Sequence, residues 1–114
     1  MIWPAGNSLF FVDELGYLTR LLKKTGALVW RAKLPGFLEL NRRKSKEIVT
    51  HHGPILAGDL LYLASGDGML RQYDPKSGNL LQKIEIPGGA TTNPVVVDRI
   101  LYVVSKTGEL HAYR

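Results

Sequence analysis

The chain has 114 residues, 45% of them hydrophobic, and no cysteine, a globular composition for one domain that excludes disulfides and thiolate metal centres. No apolar run approaches the ~20 residues of a membrane-spanning helix. The net charge of +5 is concentrated in Arg42, Arg43, Lys44 and Lys46; without them the balance is +1, which argues against a broad nucleic-acid-binding face.

In chain order, Met1–Gly6 lacks the basic segment and apolar stretch of a secretion signal, and offers a partial first strand over 1–5. Strands follow at Leu9–Val12, Tyr17–Leu21 and Ala27–Arg31, with turns at Gly16 and Gly26. After Leu34-Pro-Gly36 comes a basic connection over 37–52. A second set reads Pro54–Ala57, Leu60–Ala64, Met69–Tyr73 and Leu80–Ile84, with turns at Gly68 and Gly78. A third reads Pro94–Val97, Ile100–Val104 and Glu109–Tyr113, with its turn at Gly108. No segment keeps an apolar period of 3.6 residues, so almost no helix is predicted.

The three sets are one sentence repeated. Gly16, Gly68 and Gly108 stand 52 and 40 residues apart, and Leu18, Leu70 and Leu110 follow each at the same distance. A period of this size marks an architecture whose units bury their apolar faces against their neighbours. The strands Leu60–Ala64 and Ile100–Val104 are apolar on both faces, which requires cover on both sides. Antiparallel sheets stacked face to face around an axis supply that cover. The fold class is therefore all-β, a partial β-propeller of about two and a half to three blades. The blade units cover about 1–35, 53–87 and 93–114 of a single domain, 1–114. The third unit stops after its third strand, so the reading expects a piece of a ring with open sheet edges and faces able to self-associate.

The segment Lys24-Thr-Gly-Ala-Leu-Val-Trp30 resembles the Thr-Gly-x-x-x-Trp signature of repeats related to quinoprotein (PQQ) dehydrogenases. The second unit keeps Asp74, Ser77 and Gly78 and has Gln82 in place of Trp30. Over the whole chain, Gly53-Pro-Ile-Leu-Ala-Gly-Asp-Leu-Leu-Tyr62, Asn93-Pro-Val-Val-Val97 and Gly108-Glu-Leu-His-Ala-Tyr-Arg114 resemble the carboxy-terminal part of the BamB family. Trp30-Arg-Ala-Lys-Leu-Pro35 and the basic loop after it are most similar to alphaproteobacterial members. The resemblance implies a lipoprotein propeller of eight blades at the periplasmic face of the outer membrane, its last blade completed by an amino-terminal strand. It implies a non-enzymatic scaffold that binds BamA POTRA domains and unfolded outer-membrane clients. The family's BamA contacts lie mostly in earlier blades, so none transfers to a residue here.

The chemistry-bearing residues read as structural. Asp13, Glu14, Asp59, Asp67, Asp74 and Asp98 stand in turns, where short carboxylates bond nearby backbone N–H groups. His51 and His52 are adjacent and on an extended chain point apart, a poor arrangement for one metal. Ser65-Gly-Asp-Gly68 has strands where a phosphate loop needs a helix, and Ser65 and Ser105 have no local base. No catalytic, cofactor or metal residue is assigned. Gly16, Gly26, Gly68, Gly78, Gly108 and Trp30 are assigned structural roles, and Arg42, Arg43, Lys44 and Lys46 form the candidate partner-contact loop. The alternatives are a fragment of a quinone-dependent dehydrogenase, revealed by bound quinone or calcium, and a generic propeller adaptor.

Overall fold

The computed structural model describes residues 2–39 and 46–113. Among the described residues, eleven of thirteen strands make three main antiparallel sheets, the other two pair in a hairpin, and there is no helix. The first sheet is β1 (Ile2–Ala5), β2 (Ser8–Val12), β3 (Tyr17–Leu22) and β4 (Leu28–Lys33), side by side in that order. The small hairpin of β5 (Phe37–Glu39) and β6 (Lys46–Ile48) follows. The second sheet joins β7 (His51–Ala57), β8 (Leu60–Ser65), β9 (Met69–Tyr73) and β10 (Leu80–Glu85). The third has β11 (Val95–Val97), β12 (Ile100–Val104) and β13 (Leu110–Tyr113), so three of the four strands of a full blade. An unclosed stack of meander sheets is the partial propeller that the period implied.

Two expectations are corrected. The partial first strand read over 1–5 is a regular edge strand of its sheet, because Ile2–Ala5 pairs along its whole length with Ser8–Phe11 through the turn at Gly6 and Asn7. Alternation was hard to see in so short a run, with proline in the middle. The connection over 37–52 is also partly strand. Phe37–Glu39 pairs with Lys46–Ile48, and His51 and His52 already belong to β7, facing Ser65 and Ala64.

The core lies between sheets. Phe10 and Leu18 of the first sheet meet Leu61, Leu63 and Tyr73 of the second, with Leu34 beside them. On the other face of the second sheet, Ala64 and Leu70 meet Leu101 and Val103 of the third. Strand β8 is therefore covered on both sides, with Leu61, Leu63 and Ala64 all at 0% exposure. The doubly apolar run in the sequence has its cause here: alternate residues serve two different interfaces.

Repeat equivalence extends to irregularities. The first sheet slips register between Arg20 and Leu21, the second between Leu80 and Gln82, at matching places in the two units. The hairpin glycines Gly16, Gly68 and Gly108 have φ of 83°, 92° and 85°. Gly89 is more constrained than these, because a Cβ there would lie 2.5 Å from the backbone oxygen of Gly66 in addition to φ of 76°. Gly89→Ala is expected to cost about 2 kcal/mol through the left-handed backbone and the forced separation of the chains. Gly108→Ala, with no atom within 4 Å of its added Cβ, is expected to cost about half as much. Paired denaturant titrations check the difference; equal losses would refute the close-approach argument.

Candidate functional site

The inter-sheet connections and the second hairpin turns come together at one end of the stack. Leu34 N–H donates to Gly16 O and Ile86 N–H donates to Gly68 O, so each fourth strand is tied to its own sheet's turn glycine. The incoming connections are tied in as well: Gly66 N–H reaches Thr50 O at 2.8 Å, and Lys106 N–H reaches Gly89 O at 2.8 Å. Val49 N–H donates to Gly36 O, closing the base of the β5–β6 hairpin. The hairpin's base thus stands beside Gly16 and His51, on the same end as Asp67 and Lys106. Arg42, Arg43 and Lys44 lie outside the described residues; Lys46 begins β6.

The turns hold their shape through side chains in equivalent positions. Asp13 Oδ1 accepts from the N–H groups of Leu15 and Tyr17. Ser105 Oγ accepts from Glu109 N–H in the same geometry. Burial of Asp13 works to raise its pKa. The Tyr17 N–H, Arg31 and the Leu15 N–H outweigh it, and the carboxyl sits below its ordinary value. Arg31 also lies 4.0 Å from the Tyr17 ring centroid.

Ser65 departs from this scheme, and here the structure brings together what the sequence kept apart. His51 Nδ1 lies 2.7 Å from Ser65 Oγ, so this serine does have a base beside it. The expectation of none rested on sequence distance, and it missed that β7 and β8 set residues 51 and 65 opposite each other. Nε2 of the same ring lies 2.9 Å from Pro35 O, which fixes its proton on Nε2 and leaves Nδ1 to accept from the serine. The pair resembles a nucleophile and base, yet Ser65 is at 0% exposure and no reactant can reach it. Its role is to join the connection after the first sheet to the second sheet. Beside it, Arg71, almost buried, forms an ion pair with Asp67 at 2.5 Å. Asp67, proposed from sequence as a turn residue, also accepts from Met69 N–H.

His52, the neighbour of His51, points elsewhere, to Thr50 Oγ1 at 3.3 Å. Among the described residues, no group of three or more His, Cys, Asp or Glu is placed to hold a metal ion. Burial lowers the pKa of both histidines; the nearby His51 and Lys106 charges add to it for His52. With the folded values below the usual ~6.5, the unfolded chain binds more protons as pH falls through that region. Stability is therefore fully present above pH ~6.5 and declines below it. Thermal melts from pH 7 to 5 are expected to show this decline and His51→Gln to flatten it; a flat wild-type profile would contradict the assignment.

At the opposite end an apolar groove of about 500 Å³ runs between the second and third sheets, past Leu56, Tyr62, Ile84, Val96 and Tyr113. Strand β13 borders it and pairs, among the described residues, with β12. Nothing in the sequence marked this groove, because its walls come from residues of two units that touch only in the stack.

The family profile described as "Outer membrane protein assembly factor BamB" matches residues 14–114. A curated relative with that name from Legionella pneumophila (strain Paris) is 27% identical over 105 residues, covering 92% of this chain and 24% of the relative. Another, from Shewanella oneidensis, is 24% identical over 133 residues, covering 92% of this chain and 34% of the relative. Among solved structures, BamB from Moraxella catarrhalis superposes with a TM-score of 0.70 at 20% identity, over 98% of this chain and 32% of that one. The chain spans about a quarter to a third of the length of these curated relatives.

Proposed function

The chain belongs to the outer membrane protein assembly factor BamB family, and on that premise we propose that it is a non-enzymatic, protein-binding propeller module of outer-membrane β-barrel protein assembly. The family match over 14–114 carries this reading. Its partners are POTRA domains of a BamA-type protein and unfolded outer-membrane clients, met at the periplasmic side of the outer membrane. The arrangement of the site supports contact rather than catalysis: the one serine–histidine pair described is sealed inside the stack.

Two features give the contact a physical form. The basic run of Arg42, Arg43, Lys44 and Lys46, which follows β5 in the sequence, offers positive charge to an acidic protein surface. The apolar groove between the second and third sheets suits the side chains of an extended client. The test is a photo-crosslinking residue at Arg43 in a chain directed to the bacterial periplasm. An adduct with the BamA-type protein is expected. Adducts confined to other proteins would sink that partner and leave a generic adaptor.

A further inference from the structure

A cleft of about 510 Å³ lies between β4 of the first sheet and β10 of the second, with all its lining residues within 31–83. Both sheets have four strands, so its walls are two complete, mutually packed sheets and not a face awaiting cover. Register decides which side chains enter it. Leu61 and Leu63 pack toward the first sheet, and they stand opposite Tyr73 and Arg71. Leu80 and Lys83 of β10 stand opposite the same two residues, so all four share the face toward the first sheet. On β4, Trp30 and Ala32 point inward. Arg31 and Lys33 alternate with them, and their charged ends lie over the Tyr17 ring on the far face. Their backbone borders the cleft. Leu34 N–H bonds Gly16 O, so antiparallel alternation turns the N–H and C=O groups of Lys33 and Arg31 away from β3.

Two observations point to a ligand that carries an oxyanion. The first is Tyr73, which is 4% exposed and lines the cleft, while its hydroxyl has no hydrogen-bond partner among the described residues. The one sealed, unpartnered polar side-chain atom among those residues is His111 Nε2, so the Tyr73 hydroxyl is open, and it opens on the cleft. Burial raises its pKa, which keeps it a donor. The second is the sign of the charge. No Asp or Glu lines the cleft; Arg71 is already met by Asp67, and Lys83 is exposed with no ion pair among the described residues. A lone inorganic ion has no use for the rest of the lining. Leu80, 43% exposed, and the outward backbone groups of β4 offer a peptide an apolar contact and hydrogen-bond partners.

We infer that this cleft binds an acidic side chain of an extended peptide, its carboxylate held by the Tyr73 hydroxyl and Lys83. The walls are fixed before anything binds. Trp30 Nε1–H and Arg20 Nη1 both donate to Pro75 O, and the indole packs on Gly78, which ties the turn at 77–79 to the first sheet. A site held in shape in this way loses little ordering entropy on binding. It lies apart from the basic run of 42–46 and does not depend on the POTRA-binding reading.

The test is fluorescence anisotropy of the chain with a fluorescein-labelled glutamate-rich peptide, its glutamine counterpart, and inorganic phosphate as competitor. The glutamate peptide is expected to saturate, and the glutamine peptide to bind about tenfold more weakly. Tyr73→Phe keeps the ring in the core and is expected to weaken the glutamate peptide about tenfold. Lys83→Gln, on the surface, is expected to weaken it about threefold, an effect that salt removes. Circular dichroism establishes that each variant is folded. A glutamate peptide that does not saturate, or two peptides that bind alike, overturn the proposal. Binding that ignores both variants also overturns it and assigns the peptide to the basic run of 42–46. Phosphate that displaces the peptide at equal concentration makes this a free-anion site and overturns the peptide as occupant. If Tyr73→Phe fails to fold, Lys83→Gln decides alone, and an unchanged affinity overturns the proposal.

Discussion

Trp30→Ala is expected to destabilise the chain by about 3 kcal/mol, lowering Tm by roughly 15 °C for a domain of this size. Trp30 is partly buried and spans the first interface. Its ring lies 6.2 Å from that of Phe10, and its Nε1–H donates to Pro75 O at 2.8 Å. Arg20 Nη1 donates to the same carbonyl, so the turn after β9 is held from the first sheet by two side chains. Gly78 lets that turn approach, because a Cβ there would come within 2.6 Å of the indole. Trp30→Phe should retain most of the packing and lose the hydrogen bond, at a cost of about 1 kcal/mol. Urea titration of the pair measures both, and equal losses would show that packing contributes little.

The second large effect concerns charge. Asp67→Ala leaves the Arg71 guanidinium, whose side chain is 6% exposed, without its carboxylate inside the first interface. The expected loss is about 3 kcal/mol, mostly the cost of an uncompensated buried cation. Asp67→Ala/Arg71→Leu should recover most of it, because the face around Leu63 and Tyr73 accepts an aliphatic side chain. A double variant no more stable than the single one would mean that Asp67 acts through the turn, by holding Met69 N–H, and not through Arg71.

The period of the glycines and the doubly apolar strands carried the fold into view, because a repeat writes the same burial requirement three times. Strands β9 and β12 were read from the sequence at their observed limits, since turn residues flank them on both sides. Strand β1 was read as a fragment, and the hairpin in 37–48 was read as loop. Neither alternates over a length that outweighs its proline or its basic residues. The site was less legible than the fold. The contact of His51 with Ser65 depends on the register of β7 against β8, and the groove beside β13 depends on how two sheets stack. Both are tertiary facts with no local signature. That the second strands are apolar on both faces was legible in the sequence, but which residues face which neighbour requires the stack.

The most direct measurement is a calorimetric titration of the folded chain with purified POTRA domains of a BamA-type protein, repeated with Arg42→Glu/Arg43→Glu/Lys44→Glu. The account predicts saturable binding that weakens with salt and is reduced about tenfold or more by charge reversal, a change of ~1.4 kcal/mol. A folded chain that takes up no POTRA domain at any salt concentration would contradict it.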